Sequence, residues 1–177
     1  MGKQDDLQDG LCECAAVGWK EGVLHNLREG ATPNGEGTGW AGETPLVCAA
    51  GSEKKQGEDG SDPLGCVEAL LAAGADPNLP QSKDGVTPLC AAVARGHGDR
   101  VGLLLQRGAD PGLANQRSGE TPLSLAKAGG HQQIVEALVS ALGGPATALA
   151  HASAPLRRSD MGRTCHDSLV MQRVAGN

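Results

Sequence analysis

Between Asp84 and Gly112 the chain reads DGVTPLCAAVARGHGDRVGLLLQRGADPG. Its apolar positions fall into two short runs, an alanine-rich one from Leu89 to Ala94 and a leucine-rich one from Val101 to Leu105, separated by Gly96-His97. Thr87-Pro88 stands before the first run and Gly108-Ala109-Asp110 after the second. Threonine can cap the unpaired N–H groups of a helix start, and proline in the first turn gives up an N–H that has no partner there anyway. Glycine after a helix takes the left-handed conformation that costs other residues more. The stretch therefore predicts a turn, a short helix, a break, a second helix and a closing turn.

The same frame recurs. Thr-Pro-Leu occurs at Thr44, Thr87 and Thr121, and Gly-Ala at Gly30, Gly74 and Gly108. Both landmarks give a period of roughly 34 residues, the length of one helical-repeat unit, with an extra stretch in the second unit. Leu46, Leu89 and Leu123 are expected in the core, and Ala49, Ala92 and Ala126 where neighbouring first helices crowd together. The first unit, Leu7 to Asn34, is degenerate: Asp9-Gly10 replaces Thr-Pro and Trp19 replaces the histidine after Gly18. It reads as a cap, since terminal units of a stack have one face in water. The second unit is interrupted from Ser52 to Pro63, a polar, glycine-containing stretch of roughly nine extra residues expected as a neutral loop; loop closure grows only logarithmically with length. In the fourth unit Ile134, Val135, Leu138 and Val139 form one stripe, with Gln132, Gln133, Glu136 and Ser140 expected as polar cover. Residues 143–177 lose the period and read as a flexible basic tail, with a short amphipathic stretch from Ser168 to Val174.

Three Thr-Pro-Leu motifs in phase with three Gly-Ala motifs resemble the ankyrin repeat, over about residues 7–142. The resemblance implies an all-α solenoid with short β-hairpin connections, in four repeats at about 7–41, 42–84, 85–118 and 119–142, after an extension at 1–6. It further implies that hairpin fingers and a concave palm of first helices bind a protein partner. By position the fingers span Gly35–Glu43, Leu79–Val86 and Leu113–Glu120. Candidate binding residues are Trp40, Glu43, Lys83, Asp84, Val86, Arg95, Arg117, Ser118 and Glu120, with Ser52, Arg95 and Ala128 at variable palm positions. Trp40, Arg95 and Arg117 are expected to share one face, because tryptophan and arginine are the commonest interface anchors. The histidine that usually follows Thr-Pro-Leu in this family is replaced by Val47, Cys90 and Ser124, which implies looser ties between loops.

Composition agrees with thin helical layers. Trp19 and Trp40 are the only aromatics of the FWY set, so a core built on large rings is excluded. Residues 1–142 hold 11 Lys/Arg against 19 Asp/Glu, a net −8, whereas 143–177 hold 4 against 2, a net +2. An acidic body repels phosphate backbones, so nucleic acid is not the expected partner. There is no run of apolar residues long enough to span a membrane, and no secretory h-region. Asp6 stands where a myristoylation motif needs Ser or Thr. A cytoplasmic or nuclear monomer is expected, with its six cysteines reduced and structural.

The chain carries no G-x-S-x-G, H-E-x-x-H or P-loop motif, and Gly35-Glu36-Gly37-Thr38-Gly39 lacks the lysine of a phosphate loop. His97 and His131 sit at a recurrent structural position, and Cys12-x-Cys14 lacks the spacing of a zinc pair. No cofactor, metal or catalytic residue is expected. The reading is a non-catalytic scaffold or adaptor. The alternatives are a regulatory or targeting subunit of an enzyme on another chain, and a stoichiometric inhibitor similar to the small ankyrin kinase inhibitors.

Overall fold

The computed structural model describes residues 3–38, 42–54, 56–57 and 60–143; Trp40 and the tail lie outside the described residues. Among the described residues there are eight helices: α1 Lys3–Val17, α2 Lys20–Arg28, α3 Pro45–Gly51, α4 Pro63–Ala72, α5 Pro88–Ala94, α6 Gly98–Gln106, α7 Pro122–Ala128 and α8 Gln132–Gly143. They pair as four helix–turn–helix units. First helices α1, α3, α5 and α7 pack side by side in one row, and α2, α4, α6 and α8 form a second row behind them.

Each inner-row helix after α1 begins as the motif dictates. Thr44, Thr87 and Thr121 are N-caps whose hydroxyls accept hydrogen bonds from Val47, Cys90 and Ser124 N–H at 3.4, 3.2 and 3.2 Å, with proline next in line. Lacking Thr-Pro, α1 runs back to Lys3 and takes residues 3–6 of the expected extension into the helix. Outer-row helices α2, α4 and α6 end on Gly30, Gly74 and Gly108. There the Ala31, Ala75 and Ala109 N–H groups donate back to Asn26, Leu70 and Leu104 carbonyls at 2.9–3.0 Å, the bond of a Schellman stop. The Gly-His break has the same physics. Trp19, His97 and His131 N–H groups donate to Cys14, Ala92 and Ala126 carbonyls at 2.8–3.0 Å.

Between the rows lies a core of Leu11, Leu46, Leu70, Leu89, Leu104 and Leu138, all fully buried. Each leucine side chain so buried contributes about 1.5–3 kcal/mol before entropy is counted. Ala49, Ala92 and Ala126 have no exposed surface, as expected where inner helices touch. Leu123 departs from expectation. It is only half-buried, because no unit described beyond α7 covers it.

Adjacent units are also tied by asparagines that the sequence reading passed over. Asn34 donates to Gly74 O at 3.2 Å and accepts from Asp76 N–H at 2.7 Å. One repeat on, Asn78 makes the same two bonds to Gly108 O and Asp110 N–H, at 3.1 and 2.7 Å. Cys90 reaches the next finger with a weak thiol bond to Leu113 O at 3.8 Å. Ser124 bonds its own turn at Thr121 O instead.

Candidate functional site

The three fingers are hairpin-like turns, and no strand forms in them among the described residues. Bonds between the arms close them: Gly37 N–H to Glu43 O at 3.1 Å, Gln81 N–H to Val86 O at 3.0 Å with Gly85 N–H to Gln81 O at 2.9 Å, and Asn115 N–H to Glu120 O at 2.8 Å with Gly119 N–H to Asn115 O at 2.8 Å. The fingers are then tied to one another. Ser82 N–H donates to Gly42 O at 3.3 Å, and Gln116 N–H to Gly85 O at 3.2 Å. Side chains add further ties. The Ser82 hydroxyl bonds the Glu36 carboxylate, and Arg117 donates to Lys83 O at 3.3 Å and to the Asp84 carboxylate at 2.8 Å. Finger one is held to α1 by Thr38 Oγ1 donating to Asp9 at 2.7 Å. Backbone-to-backbone bonds make one continuous row out of three turns.

The candidate residues divide on this frame. Lys83, Ser118, Glu120 and Arg117 are exposed on fingers two and three, and Asp84 is joined to Arg117 as an ion pair. Val86 and Glu43 are half-buried; Glu43 accepts a hydrogen bond from the Cys48 thiol at 3.2 Å, which turns its carboxylate inward. Arg95 is exposed and ion-paired with Glu53. It is the C-cap of α5, whereas Arg117 reaches the finger that precedes α5. The length of that helix, roughly 10 Å for seven residues, therefore separates them. Trp40 lies outside the described residues; of the described candidates, Lys83, Asp84, Arg117, Ser118 and Glu120 stand together on fingers two and three. Ala128 is exposed, but Ser52 is not a palm contact: it is buried, and its hydroxyl donates to Ala16 O at 2.6 Å.

The inserted stretch is anchored rather than loose over its described part. Pro63 belongs to α4, and Asp62 caps that helix by accepting from Gly65 N–H at 2.7 Å. Asp62 N–H donates to Gly18 O at 2.7 Å, Gln56 donates to the Asp62 carboxylate at 2.7 Å, and Lys20 stands 3.6 Å from it. Burial pushes the Asp62 carboxyl up, but the Gln56 and Gly65 bonds and the Lys20 charge outweigh it and hold it below its ordinary value.

At the other end stands Arg100, a residue the sequence reading missed. It projects from α6 and is 4% exposed. It donates to Ala49 O, Ala50 O, Ser52 O and Lys54 O at 3.3, 3.1, 2.6 and 2.6 Å. The other inner helices end on a glycine whose neighbour's N–H satisfies the last carbonyls. The second unit has lost that Gly-His stop to its insertion, and the guanidinium replaces it. Its positive charge at the carbonyl end of α3 also suits the helix dipole. A missing stop in one unit, followed by an arginine in the outer helix of the next unit, was the available signal.

His97 sits beside this clamp. Its Nε2 is buried with no hydrogen-bond partner among the described residues. Burial, then the Arg100 charge, lower its pKa from the ordinary value. The neutral form is favoured in the fold, whereas the unfolded chain protonates near pH 6.5. Stability is complete above that pH and declines as pH falls toward the lowered folded value. Thermal melts at pH 7 and pH 5 should therefore differ less for His97→Asn than for the unaltered chain; equal differences would remove His97 as the source.

Cys12, Cys14, Cys48, Cys66 and Cys90 are buried and unbridged; Cys165 lies outside the described residues. Burial, with the Asp62 charge second, pushes the Cys66 thiol up to about 12. A shared bond with Cys12 raises that of Cys48, with burial adding to it. Such thiols pack as small apolar groups. Among the described residues no three His, Cys, Asp or Glu side chains come together to hold a metal, and no helix is long and apolar enough to cross a membrane.

A family model described as ankyrin repeats, in three copies, matches residues 11–113 and 58–147 of the chain. No curated protein matches it.

Proposed function

This chain belongs to the ankyrin repeat family, whose repeats are generally protein–protein interaction modules, and from that premise we propose that it is a non-catalytic scaffold or adaptor binding one protein through its finger row and inner helix row. The observation that carries this reading is the cross-bonding of fingers two and three. Their backbones are joined at Gln116–Gly85 and their side chains at Arg117–Asp84, while Lys83, Ser118 and Glu120 remain exposed. A row fixed before binding loses little conformational entropy on binding, which is how preorganisation raises affinity. The charges alternate in sign along it, so complementarity rather than net charge sets the partner.

The reading is tested by affinity capture with the full chain and with a Lys83→Glu/Glu120→Lys variant. Both side chains are exposed, so melting curves should coincide within about 0.5 kcal/mol, while the captured partner is lost or weakened by about tenfold or more. Capture of the same partner at unchanged affinity would overturn the assignment to the fingers. Trp40→Ala, measured in parallel, tests whether finger one contributes an anchor.

A further inference from the structure

The outer face of the fourth unit is built like an interior face. Val101 and Leu105 of α6 correspond to Val135 and Val139 of α8, one repeat on. In the third unit, which has a unit following it, Val101 is fully buried and Leu105 half-buried. In the fourth, Val135 is only half-buried and Val139 is 51% exposed, with Leu142 beside it at 48%. Gln132, Gln133, Glu136 and Ser140 do not cover these positions, contrary to the cap expected there. A stack that ended at α8 should be polar on this side.

The chain continues past Gly143 to Asn177, a stretch as long as one repeat. That segment has lost the Thr-Pro-Leu and Gly-Ala landmarks but keeps part of the apolar spacing. Ala154-Pro155-Leu156 follows Thr121-Pro122-Leu123 at the spacing of one repeat. His166-x-x-Leu169-Val170-x-x-x-Val174 follows His131-x-x-Ile134-Val135-x-x-x-Val139 at nearly the same interval. Its net charge is +2 against −8 for residues 1–142, so attraction favours its return to the array. We propose that residues 154–174 return to the fourth unit and seat Leu169, Val170 and Val174 against the face presented by Val135, Val139 and Leu142. The occupant of this face is then the chain's own tail rather than a second copy or a foreign protein.

Hydrogen exchange on the intact chain tests this. Amides of 166–174 should exchange about tenfold or more slower than in a free peptide of that sequence. Val139→Asp, at a site already exposed, should abolish the protection while leaving exchange in α3 to α6 unchanged; Leu169→Asp/Val170→Asp should do the same from the other side. Exchange of 166–174 at the free-peptide rate in the unaltered chain overturns the proposal. So does protection that survives Val139→Asp, which would place the tail elsewhere. A dimer in sedimentation that Val139→Asp dissociates while the tail exchanges freely overturns it in favour of a second copy.

Discussion

Replacing Arg100 by methionine is expected to lower the unfolding free energy by about 3 kcal/mol or more, the largest effect of any substitution outside the leucine core. The reason is local. Methionine keeps much of the apolar stem, but leaves the Ala49, Ala50, Ser52 and Lys54 carbonyls without the donor they share. Each buried carbonyl that loses its donor costs about 1–3 kcal/mol, and less where water can enter, as at the exposed Lys54. Lysine should recover only part of the loss, because one ammonium cannot span four acceptors as a planar fork does. Denaturant titration reads the change directly. Limited proteolysis should in addition open the stretch between Ser52 and Asp62, since its entry is fixed by this guanidinium. In a solenoid each unit is stabilised by its neighbours, so weakening the second unit should also broaden the transition as the first uncouples from the third and fourth. A loss below about 1 kcal/mol would mean that water already serves these carbonyls, and the clamp would be discarded.

Gly85→Val carries the second large effect, and here stability and binding should fall together. Gly85 has φ +65°, a left-handed conformation, which costs an L-residue roughly 1–2 kcal/mol and a β-branched one more. A Cβ at this position would also stand 2.6 Å from Gln116 Cβ and 3.2 Å from Gln116 N. That nitrogen is the donor that ties finger three to Gly85 O. Relieving the clash must part fingers two and three, so the expected loss is about 2–3 kcal/mol in stability. Partner capture should weaken beyond what the unfolded fraction explains. Gly119→Ala provides the control. Its φ is +69°, but nothing lies within 4 Å of the added carbon, so it carries only the backbone cost and leaves the row joined. If both variants reduced capture equally, the finger row would not be the binding element.

The local grammar of this chain was legible because each mark answers a problem within a few residues of itself. Thr87 and Pro88 start α5, Gly96 stops it, and Gly108 stops α6, all through bonds or dihedrals spanning one turn. The alanines at 49, 92 and 126 were legible for a related reason: their recurrence marks where helices touch. The candidate site was legible only in part. Lys83, Asp84, Arg117, Ser118 and Glu120 do share the joined fingers, but Arg95 answers to Glu53 at the far end of α5, and Ser52 turns inward to Ala16. Both residues cap the ends of inner helices, but their bonding partners belong to other units.

By itself, then, the sequence determined the repeat, its helix starts and stops, and the family of folds that follows, because these depend on short-range backbone chemistry. Only the tertiary structure decided what happens where a unit departs from the frame. The insertion after Gly51 removed a helix stop, and the donor that replaces it comes from Arg100, in the next unit's outer helix. The fingers became one surface because Gly85 and Gln116 meet across two repeats. Val139 reads as core by its period, yet stands in the open because burial depends on a neighbour and not on the residue itself.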